Sequence, residues 1–430
     1  MFLGAVLLLV FLMVFGFPVG FALSGAGIFG NVMLLGSRGG EMAPKIMYDS
    51  MNSFILAAVP MFIIMGRTIA TGGIGVRMYD FASVWLRHLP GGLAIATIAC
   101  CGVLAAIAGS STAIIAAVGT AAIPQLLRLG YPPRMALGMV TAGATLGILI
   151  PPSVPLLIFS AITDESAGKL FLAGVFPGIV LTVLMATYAS IAAVRAGVVR
   201  LERASWTERW AVTKRASWGL MLPIVVLGSI YSGIATPTES AALGTLFSLF
   251  IAVVIYKELK PREVPALLMH AAATSAMIMF IVQGAVLLGK FATIVQVPQE
   301  LVLWVAEKNL TAFELVLAAN VLFLILGCFL EVVSIMLITL PVLIAPLLGL
   351  HVDLIWFAIV MMINMEIALI TPPVGLNLYV VGGLMKSINL NVSQSDLIRG
   401  VIPYFFLMLA FMILCLLWPP MITWFPTLFN

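Results

Sequence analysis

Charged residues are scarce in this chain, and their scarcity excludes an ordinary soluble domain. Only 9% of the 430 residues are Asp, Glu, Lys or Arg, whereas 63% are hydrophobic. Soluble domains are roughly a quarter charged and about half apolar. The longest polar stretch, about 195–217, is too short to bury a core of its own. The composition therefore predicts a polytopic membrane protein.

Histidine and cysteine are also rare. The three histidines are isolated, and the four cysteines form no CxxC pair and all fall in apolar runs. Such spacing favours neither a disulfide framework nor a transition-metal site. The net charge of +4 is explained by loop lysines and arginines. We therefore expect membrane lipid, and no nucleic acid, among the partners of the chain.

The apolar runs lack the roughly ten-residue alternating strands of a membrane barrel. Because backbone hydrogen bonds in lipid must be satisfied within the structure, long apolar runs predict an all-α fold. Two runs, 91–127 and 312–349, are too long for one straight helix. Each has a weak point near its centre, AGSST at 108–112 and GCFLE at 327–331. Each run is interpreted as a re-entrant helical hairpin.

An internal repeat relates the two halves. GILIPPSVPLL at 147–157 has a counterpart in ALITPPVGLNL at 368–378, and 221 positions separate the proline pairs. The same separation joins Ser110 to Glu331, and MGRTIAT at 65–71 aligns with LGKFAT at 288–293 at nearly that separation. Basic segments at 194–215 and 256–263 are assigned to the cytoplasm, which places the hairpins on opposite faces. The sequence predicts an inverted repeat.

The repeat divides the chain into four predicted parts. They are N-terminal scaffold helices at 1–51, a first inverted repeat at 52–195 with its hairpin at about 91–127, a cytoplasmic linker and scaffold helix pair at 196–264, and a second inverted repeat at 265–430 with its hairpin at about 312–349. The apolar start has no basic residue before it, so we interpret it as the first span and not as a removable signal peptide.

The two proline pairs lie inside apolar runs. Proline has no N–H group, so carbonyls four residues earlier lose their helical partners. The affected carbonyls are those of Gly147, Ile148, Ala368 and Leu369. At mid-membrane depth such groups are tolerated where they line a cavity or bind an ion. Oxygen ligands without a carboxylate or imidazole cluster favour Na⁺; the alternative is that each pair only kinks a packed helix.

The predicted hairpin tips offer further polar groups. The hydroxyls of Ser110, Ser111 and Thr112 can face an ion or a carboxylate at a helix end. The small residues around them are equally typical of close helix packing. Glu331, in the second tip, requires a partner or a water-filled cavity, since an isolated charge in the membrane is costly. Structural pairing and ion binding both remain open for it.

Four segments resemble a known family. They are GSSTAIIAAVGTAAIPQLLRLGYPP at 109–133, LGILIPPSVPLLIF at 146–159, TPTESAA at 236–242 and LITPPVGLNLYV at 369–380. Over nearly its whole length the chain resembles the large membrane subunit, the DctM-like M subunit, of tripartite ATP-independent periplasmic (TRAP) carboxylate transporters. The resemblance implies an ion-transporter-superfamily fold, in which a scaffold holds a mobile elevator domain with two hairpins and proline-broken helices.

The resemblance also implies a function. It implies Na⁺-coupled secondary import of a small carboxylate across the bacterial inner membrane. The implied partners are a small four-helix membrane subunit and a periplasmic solute-binding protein that delivers the substrate. Because no four-helix region precedes the first span, we expect the small subunit to be a separate chain. Na⁺ is the expected cofactor.

In such proteins the ions lie where each hairpin tip meets a proline-broken helix. Carried over by residue, one sodium site comprises Gly109, Ser110, Ser111, Gly147, Ile150 and Pro152. The other comprises Gly327, Ala368, Thr371 and Val374. The candidate substrate contacts are Ser111, Thr112, Asn364 and Asn377. No catalytic residue is expected.

Two alternatives belong to other classes. A stand-alone Na⁺/carboxylate transporter of the same superfamily would share the hairpins but need no binding protein. An intramembrane enzyme would use Ser110 or Glu331. No His/Asp partner follows Ser110 at a plausible spacing, and aspartyl chemistry needs two facing acids, so the sequence disfavours an enzyme.

Overall fold

The computed structural model describes residues 1–388, 390 and 392–427. All regular secondary structure within these residues is helical, as the apolar runs predict. Most buried apolar side chains form one connected core that extends through both halves of the chain. A second, small cluster of Ala252, Leu259 and Leu267 lies at the predicted cytoplasmic segment 256–263.

Three helices precede the first predicted repeat. They are α1 (Phe2–Val14), α2 (Val19–Leu35) and α3 (Ser37–Met51). The first two are apolar, which suits contact with lipid and core alike. By contrast, α3 buries Gly39 and Ala43 while Tyr48 is 76% exposed, so it is amphipathic. The span analysis does not predict α3 because its apolar residues occupy only one face.

Seven helices occupy the first predicted repeat. They are α4 (Ala58–Thr71), α5 (Ile74–Leu86), α6 (Gly92–Ala108), α7 (Ser111–Arg128), α8 (Pro133–Gly143), α9 (Val154–Thr163) and α10 (Ala167–Arg195). A 3-10 turn, Ala144–Ile148, continues α8 up to the first proline pair. The axes of α4 and α5 differ by 61° at a short break that contains Gly73 in the left-handed region.

Two helices connect the repeats, α11 (Trp206–Tyr231) and α12 (Pro237–Phe250), and a π-helical turn, Ile251–Ile255, extends α12. The TPTE sequence before α12 forms a capping box. The Glu239 carboxylate accepts the Thr236 N–H at 2.8 Å, and the Thr236 hydroxyl accepts the Glu239 N–H at 3.3 Å. These bonds satisfy N–H groups at the start of the helix.

Eight helices occupy the second predicted repeat. They are α13 (Val264–Ile294), α14 (Val297–Glu307), α15 (Ala312–Gly327), α16 (Val332–Gly349), α17 (Leu354–Leu369), α18 (Leu376–Ser387), α19 (Gln394–Leu417) and α20 (Pro420–Thr427). The order α13–α19 reproduces the order α4–α10. The predicted domain limits and the opposite orientation of the repeats stay predictions.

The helix breaks fall where the sequence predicts them. The first predicted hairpin breaks between Ala108 and Ser111, and the second between Gly327 and Val332. The proline pairs divide the apolar runs that contain them into α8 with α9 and α17 with α18. The short helices α5 and α14 were not predicted. Whether the hairpins are re-entrant stays a prediction.

Six helical segments in the described part of the chain are long and apolar enough to cross a membrane. They are Ser111–Arg128, Ala167–Arg195, Pro237–Ile255, Val264–Ile294, Val332–Gly349 and Gln394–Leu417. The bent pair of α4 and α5 raises the count to seven if it is one span. Six shorter apolar helices accompany them, among them α1, α2 and α6.

Glycine allows the closest helix contacts. A Cβ added to Gly27 of α2 would lie 2.9 Å from the Leu288 nitrogen of α13. Between α8 and α19, a Cβ added to Gly400 would overlap the carbonyl oxygen of Arg134. Membrane helices gain packing energy when small residues let their backbones approach. The α8–α19 contact therefore depends on Gly400.

We predict that Gly400→Ala lowers the thermal stability of the purified protein, because the new methyl group forces α8 and α19 apart. Overpacking of this kind costs about 1–3 kcal/mol. Gly228→Ala in α11 is the matched control, since no atom lies within 4 Å of the added Cβ. Loss of the monodisperse size-exclusion peak is measured after heating. Equal midpoints for the two variants would contradict the packing.

Candidate functional site

A cavity of about 520 Å³ lies where the two hairpin breaks meet α4 and α13. Its polar lining comes from four elements. The polar lining residues are Arg67 and Thr71 of α4, Ser110, Ser111 and Thr112 at the first break, Thr274 of α13 and Glu331 at the second break. Ile148 and Leu369, which lie beside the two proline pairs, also line the cavity. Segments far apart in sequence thus share one cavity.

The first hairpin break is in direct contact with the first proline pair. Gly109 ends α6 with a φ of +57°, in the left-handed region. A Cβ at this position would lie 2.7 Å from the Pro152 carbonyl oxygen. Glycine is required here both for its backbone conformation and for the close approach. Gly109 and Pro152, predicted as members of one sodium site, are therefore in contact.

The hydroxyls at the first break differ in their partners. The Ser110 and Thr112 hydroxyls hydrogen-bond to each other at 3.0 Å. The Ser111 hydroxyl is buried and has no hydrogen-bond partner in the described residues. A buried polar group without a partner costs about 1–3 kcal/mol. The free oxygen of Ser111 is available to a ligand.

Gly147 packs against this break. A Cβ on Gly147 would lie 3.1 Å from both the Ser110 carbon and the Ser111 nitrogen. The Gly147 carbonyl accepts no hydrogen bond from the described residues, as predicted. The prediction for Ile148 is wrong, because the Ser153 hydroxyl donates to its carbonyl at 2.6 Å. Ser153 caps α9 and so replaces the missing backbone donor.

The second hairpin break meets the second proline pair in the same way. A Cβ on Gly327 would overlap the Ala368 Cβ, and the Val374 N–H donates to the Cys328 carbonyl at 3.3 Å. The predicted loss of partners at Ala368 is wrong, because its carbonyl accepts the Thr371 N–H at 3.1 Å. The last turn of α17 tightens to three-residue spacing and recovers that bond.

Two other predicted ligands have defined surroundings. The Thr371 hydroxyl donates to the Ile367 carbonyl at 2.6 Å, which leaves its oxygen lone pairs for a further contact. The side chain of Ile150 packs on Gly178 of α10. Ile150 therefore offers only backbone atoms to an ion. The peptide bond within each proline pair is cis.

The predicted sodium residues form two groups, one at each contact between a break and a proline pair. Only Gly109, Ser110 and Ser111 of these residues line the cavity itself. The remaining members lie outside this lining; Gly147, Ile150 and Pro152 are buried, whereas Val374 is 49% exposed. Carbonyl and hydroxyl oxygens dominate both groups, which is a donor set suited to Na⁺. Ion binding at either group stays a prediction.

Two predicted substrate contacts lie elsewhere. Asn364 is fully buried and donates to the Asn320 carbonyl and side-chain oxygens, both at 2.9 Å. Asn377 is also buried and donates to the Thr141 carbonyl at 3.2 Å. Neither asparagine lines the cavity in this conformation, whereas Ser111 and Thr112 do. Glu366, two residues after Asn364, is buried with no partner for either carboxylate oxygen in the described residues.

Arg67 and Glu331 are cavity residues that the predicted sites omit. The Arg67 guanidinium donates to the Thr274 hydroxyl at 3.2 Å, and the Glu331 carboxylate accepts from the Ser334 hydroxyl at 3.3 Å. No ion pair joins the two charges within the described residues. The recurring Gly-Arg and Gly-Lys motif was the available signal for Arg67. Arg67 is the one positively charged residue in the described lining.

The electrostatics of the cavity favour an anion at one side. The first residues of α7 and α16 both line it, so two helix N-termini are directed at the same space. A helix N-terminus carries a partial positive charge and unpaired N–H groups. Together with Arg67, they form a setting for a carboxylate. Glu331 adds a negative charge that a cation or solute hydroxyl can offset.

Sequence comparison identifies relatives along the whole chain. Residues 6–421 match the family of the DctM component of the tripartite ATP-independent periplasmic transporter. The chain is 38% identical over 368 residues to the C4-dicarboxylate TRAP transporter large permease protein DctM of Pseudomonas aeruginosa, covering 86% of this chain and 85% of that protein. It is 31% identical to the 2,3-diketo-L-gulonate TRAP transporter large permease protein YiaN of Escherichia coli, covering 89% of each.

Two solved structures share the fold. The Alcanivorax borkumensis YdaH transporter aligns with a TM-score of 0.63 at 16% identity and covers 90% of each chain. Neisseria gonorrhoeae MtrF aligns with a TM-score of 0.58 at 14% identity, over 90% of this chain and 85% of that one. At these identities the likeness concerns the fold alone, and it confirms the predicted all-α polytopic architecture.

The family match and the relatives confirm the resemblance drawn from the four sequence segments. The relatives are permease components of transporters, not enzymes. The apolar helices agree with a multi-pass protein of the bacterial inner membrane. The chain therefore belongs to the DctM family, the large permease component of tripartite ATP-independent periplasmic transporters.

Proposed function

We propose that this chain carries out Na⁺-coupled import of a small carboxylate, with a C4-dicarboxylate as the first candidate. The observation that supports the proposal is the pairing of each hairpin break with one proline pair. Gly109 meets Pro152, and Gly327 meets Ala368. Two contacts, one in each repeat and each flanked by backbone and hydroxyl oxygens, suit two coupling ions near the midplane.

The solute binds in the cavity between these contacts. Its carboxylate faces Arg67 and the N-termini of α7 and α16, while the hydroxyls of Ser111 and Thr112 orient it. Ions at the two breaks fix the helix ends that contact the solute. Solute affinity then depends on Na⁺, which is the basis of coupling. The C4-dicarboxylate class follows the named solute of relatives such as the Pseudomonas aeruginosa protein.

Transport proceeds by an elevator movement. The breaks and proline-broken helices move together against α4 and α13, which also line the cavity. A small four-helix membrane subunit, a separate chain, completes the permease, in keeping with the large permease designation of the relatives. A periplasmic solute-binding protein delivers the substrate to the outward-open cavity.

The first prediction concerns coupling. We expect the reconstituted complex, supplied with its binding protein, to take up radiolabelled succinate only with an inward Na⁺ gradient and without ATP. Two Na⁺ balance the two negative charges of one succinate dianion, so an inside-negative potential should leave the uptake rate unchanged. Uptake is measured in proteoliposomes. Equal uptake with choline in place of Na⁺ on both sides would refute the coupling.

The second prediction concerns Ser111. Its hydroxyl has no hydrogen-bond partner among the described residues, so Ser111→Ala should leave thermal stability unchanged or slightly higher. If the hydroxyl binds an ion, the Na⁺ concentration for half-maximal uptake should rise roughly tenfold, which corresponds to about 1.4 kcal/mol. Uptake is measured against Na⁺ concentration at matched protein levels.

Thr339→Val is the matched control for Ser111→Ala. The Thr339 hydroxyl is also buried, but it donates to the Ile335 carbonyl at 2.8 Å within its own helix. The control should keep the wild-type Na⁺ curve. A Ser111→Ala curve that superimposes on that of wild type would remove Ser111 from the site.

The third prediction separates a tripartite system from a stand-alone transporter. The chain with its small subunit should import almost no free succinate, and purified binding protein should restore uptake. The comparison is made in proteoliposomes with one Na⁺ gradient and with binding protein present or absent. Saturable uptake in the absence of the binding protein would move the chain to the stand-alone class.

A further inference from the structure

The helices α4 and α13 carry the same short motif but meet the hairpins at different levels. Gly66 and Arg67 of α4 correspond to Gly289 and Lys290 of α13. A Cβ on Gly66 would lie 2.9 Å from the Ala108 oxygen and 3.5 Å from the Ala113 Cβ, both beside the first break. Gly66 of α4 therefore lies against the tip of the first hairpin.

Gly289 meets its hairpin farther from the tip. A Cβ on Gly289 would lie 3.1 Å from the Pro341 Cβ of α16. Ser334 is the residue that corresponds to Ala113, at the separation of 221 positions. Pro341 lies seven residues beyond it, which is about 10 Å along an α-helix. Relative to α4 and the first hairpin, the second hairpin is displaced along α13 by about that distance.

Because of this displacement, the tip of the second hairpin does not reach the motif on α13. Arg67 lines the cavity beside the first tip, whereas Lys290 is exposed and forms no hydrogen bond or ion pair with the described residues. Val286 and Thr293, which share its helix face, are also exposed. The face of α13 that corresponds to the cavity face of α4 is open in this conformation.

We propose that Lys290 is the carboxylate-binding residue of the opposite conformation, as Arg67 is of this one. The inference rests on the proposed elevator movement and carboxylate substrate. In an inverted repeat the two halves exchange conformations between the end states. Gly289 then meets Ser334, and Gly66 moves to Thr120, the counterpart of Pro341. Lys290 enters the cavity beside the second tip, where its ammonium group binds the arriving carboxylate.

The proposed contact is tested first by disulfide trapping in a cysteine-free background of the full complex. Gly289→Cys is combined either with Pro341→Cys, which reports this conformation, or with Ser334→Cys, which reports the opposite one. A disulfide requires Cβ atoms about 3.5–4.5 Å apart, so one conformation cannot form both bonds. Gly289→Cys with Met336→Cys, on the far face of α16, is the control.

We expect both reporter pairs to cross-link in membranes of the working complex, and the control pair to stay reduced. Each cross-link should stop transport, and reduction should restore it. Cross-linking of the Pro341→Cys pair alone, in a complex that transports normally before oxidation, would overturn the proposal. Formation of the cross-links needs no solute, so that part of the measurement stands independently of the substrate class.

The binding role is tested by uptake of radiolabelled succinate through the full complex. Lys290→Gln should raise the KM for import about tenfold, the effect of one charged contact, while Lys290→Arg keeps the wild-type value. Lys308→Gln is the control, because Lys308 is exposed and lies 3.8 Å from Glu307. An unchanged KM for Lys290→Gln would overturn the proposal. A wild-type complex without Na⁺-dependent uptake would instead count against the proposed function.

Discussion

Each proline pair removes two backbone donors from a helix, and the rest of the site depends on this loss. In lipid a backbone carbonyl without a partner must be buried in protein or face a cavity. Here each interrupted helix packs against a hairpin break. Gly109 contacts Pro152, and Gly327 contacts Ala368. These two contacts bring four broken helices to one cavity. Glycine is needed at each contact because a Cβ would come too close to the proline-broken helix.

The positions of the helix breaks could be predicted from the sequence because they depend on the local residue types. Proline pairs and small-residue runs interrupt a helix wherever they stand, and both hairpin breaks and both proline breaks lie where predicted. The sequence predicted less well which carbonyls have no hydrogen-bond partner. Ser153 supplies a donor to Ile148, and the tightened end of α17 supplies one to Ala368. Such replacements depend on side-chain geometry at Ser153 and on backbone geometry at the end of α17, neither of which the residue spacing encodes.

Tertiary placement accounts for the other differences. The amphipathic helix α3 and the short helices α5 and α14 have no long apolar run, so hydropathy does not reveal them. Asn364 and Asn377 are polar and near the second proline pair, yet they face neighbouring helices and not the cavity. Arg67 reaches the cavity from a different helix. Which face of a helix meets the site follows from packing between distant segments, and only the repeated motif hinted at it.

The central claim is that the chain holds two Na⁺ ions, one at each contact between a hairpin break and a proline pair. Equilibrium binding of radioactive ²²Na⁺ to the purified protein, without solute, tests it most directly. The account predicts two Na⁺ per chain, displaced by excess Na⁺ but not by choline, with the affinity for one of them lowered roughly tenfold when Ser111 is replaced by alanine. Binding of no Na⁺, or of two ions with undiminished affinity in that variant, would contradict the account.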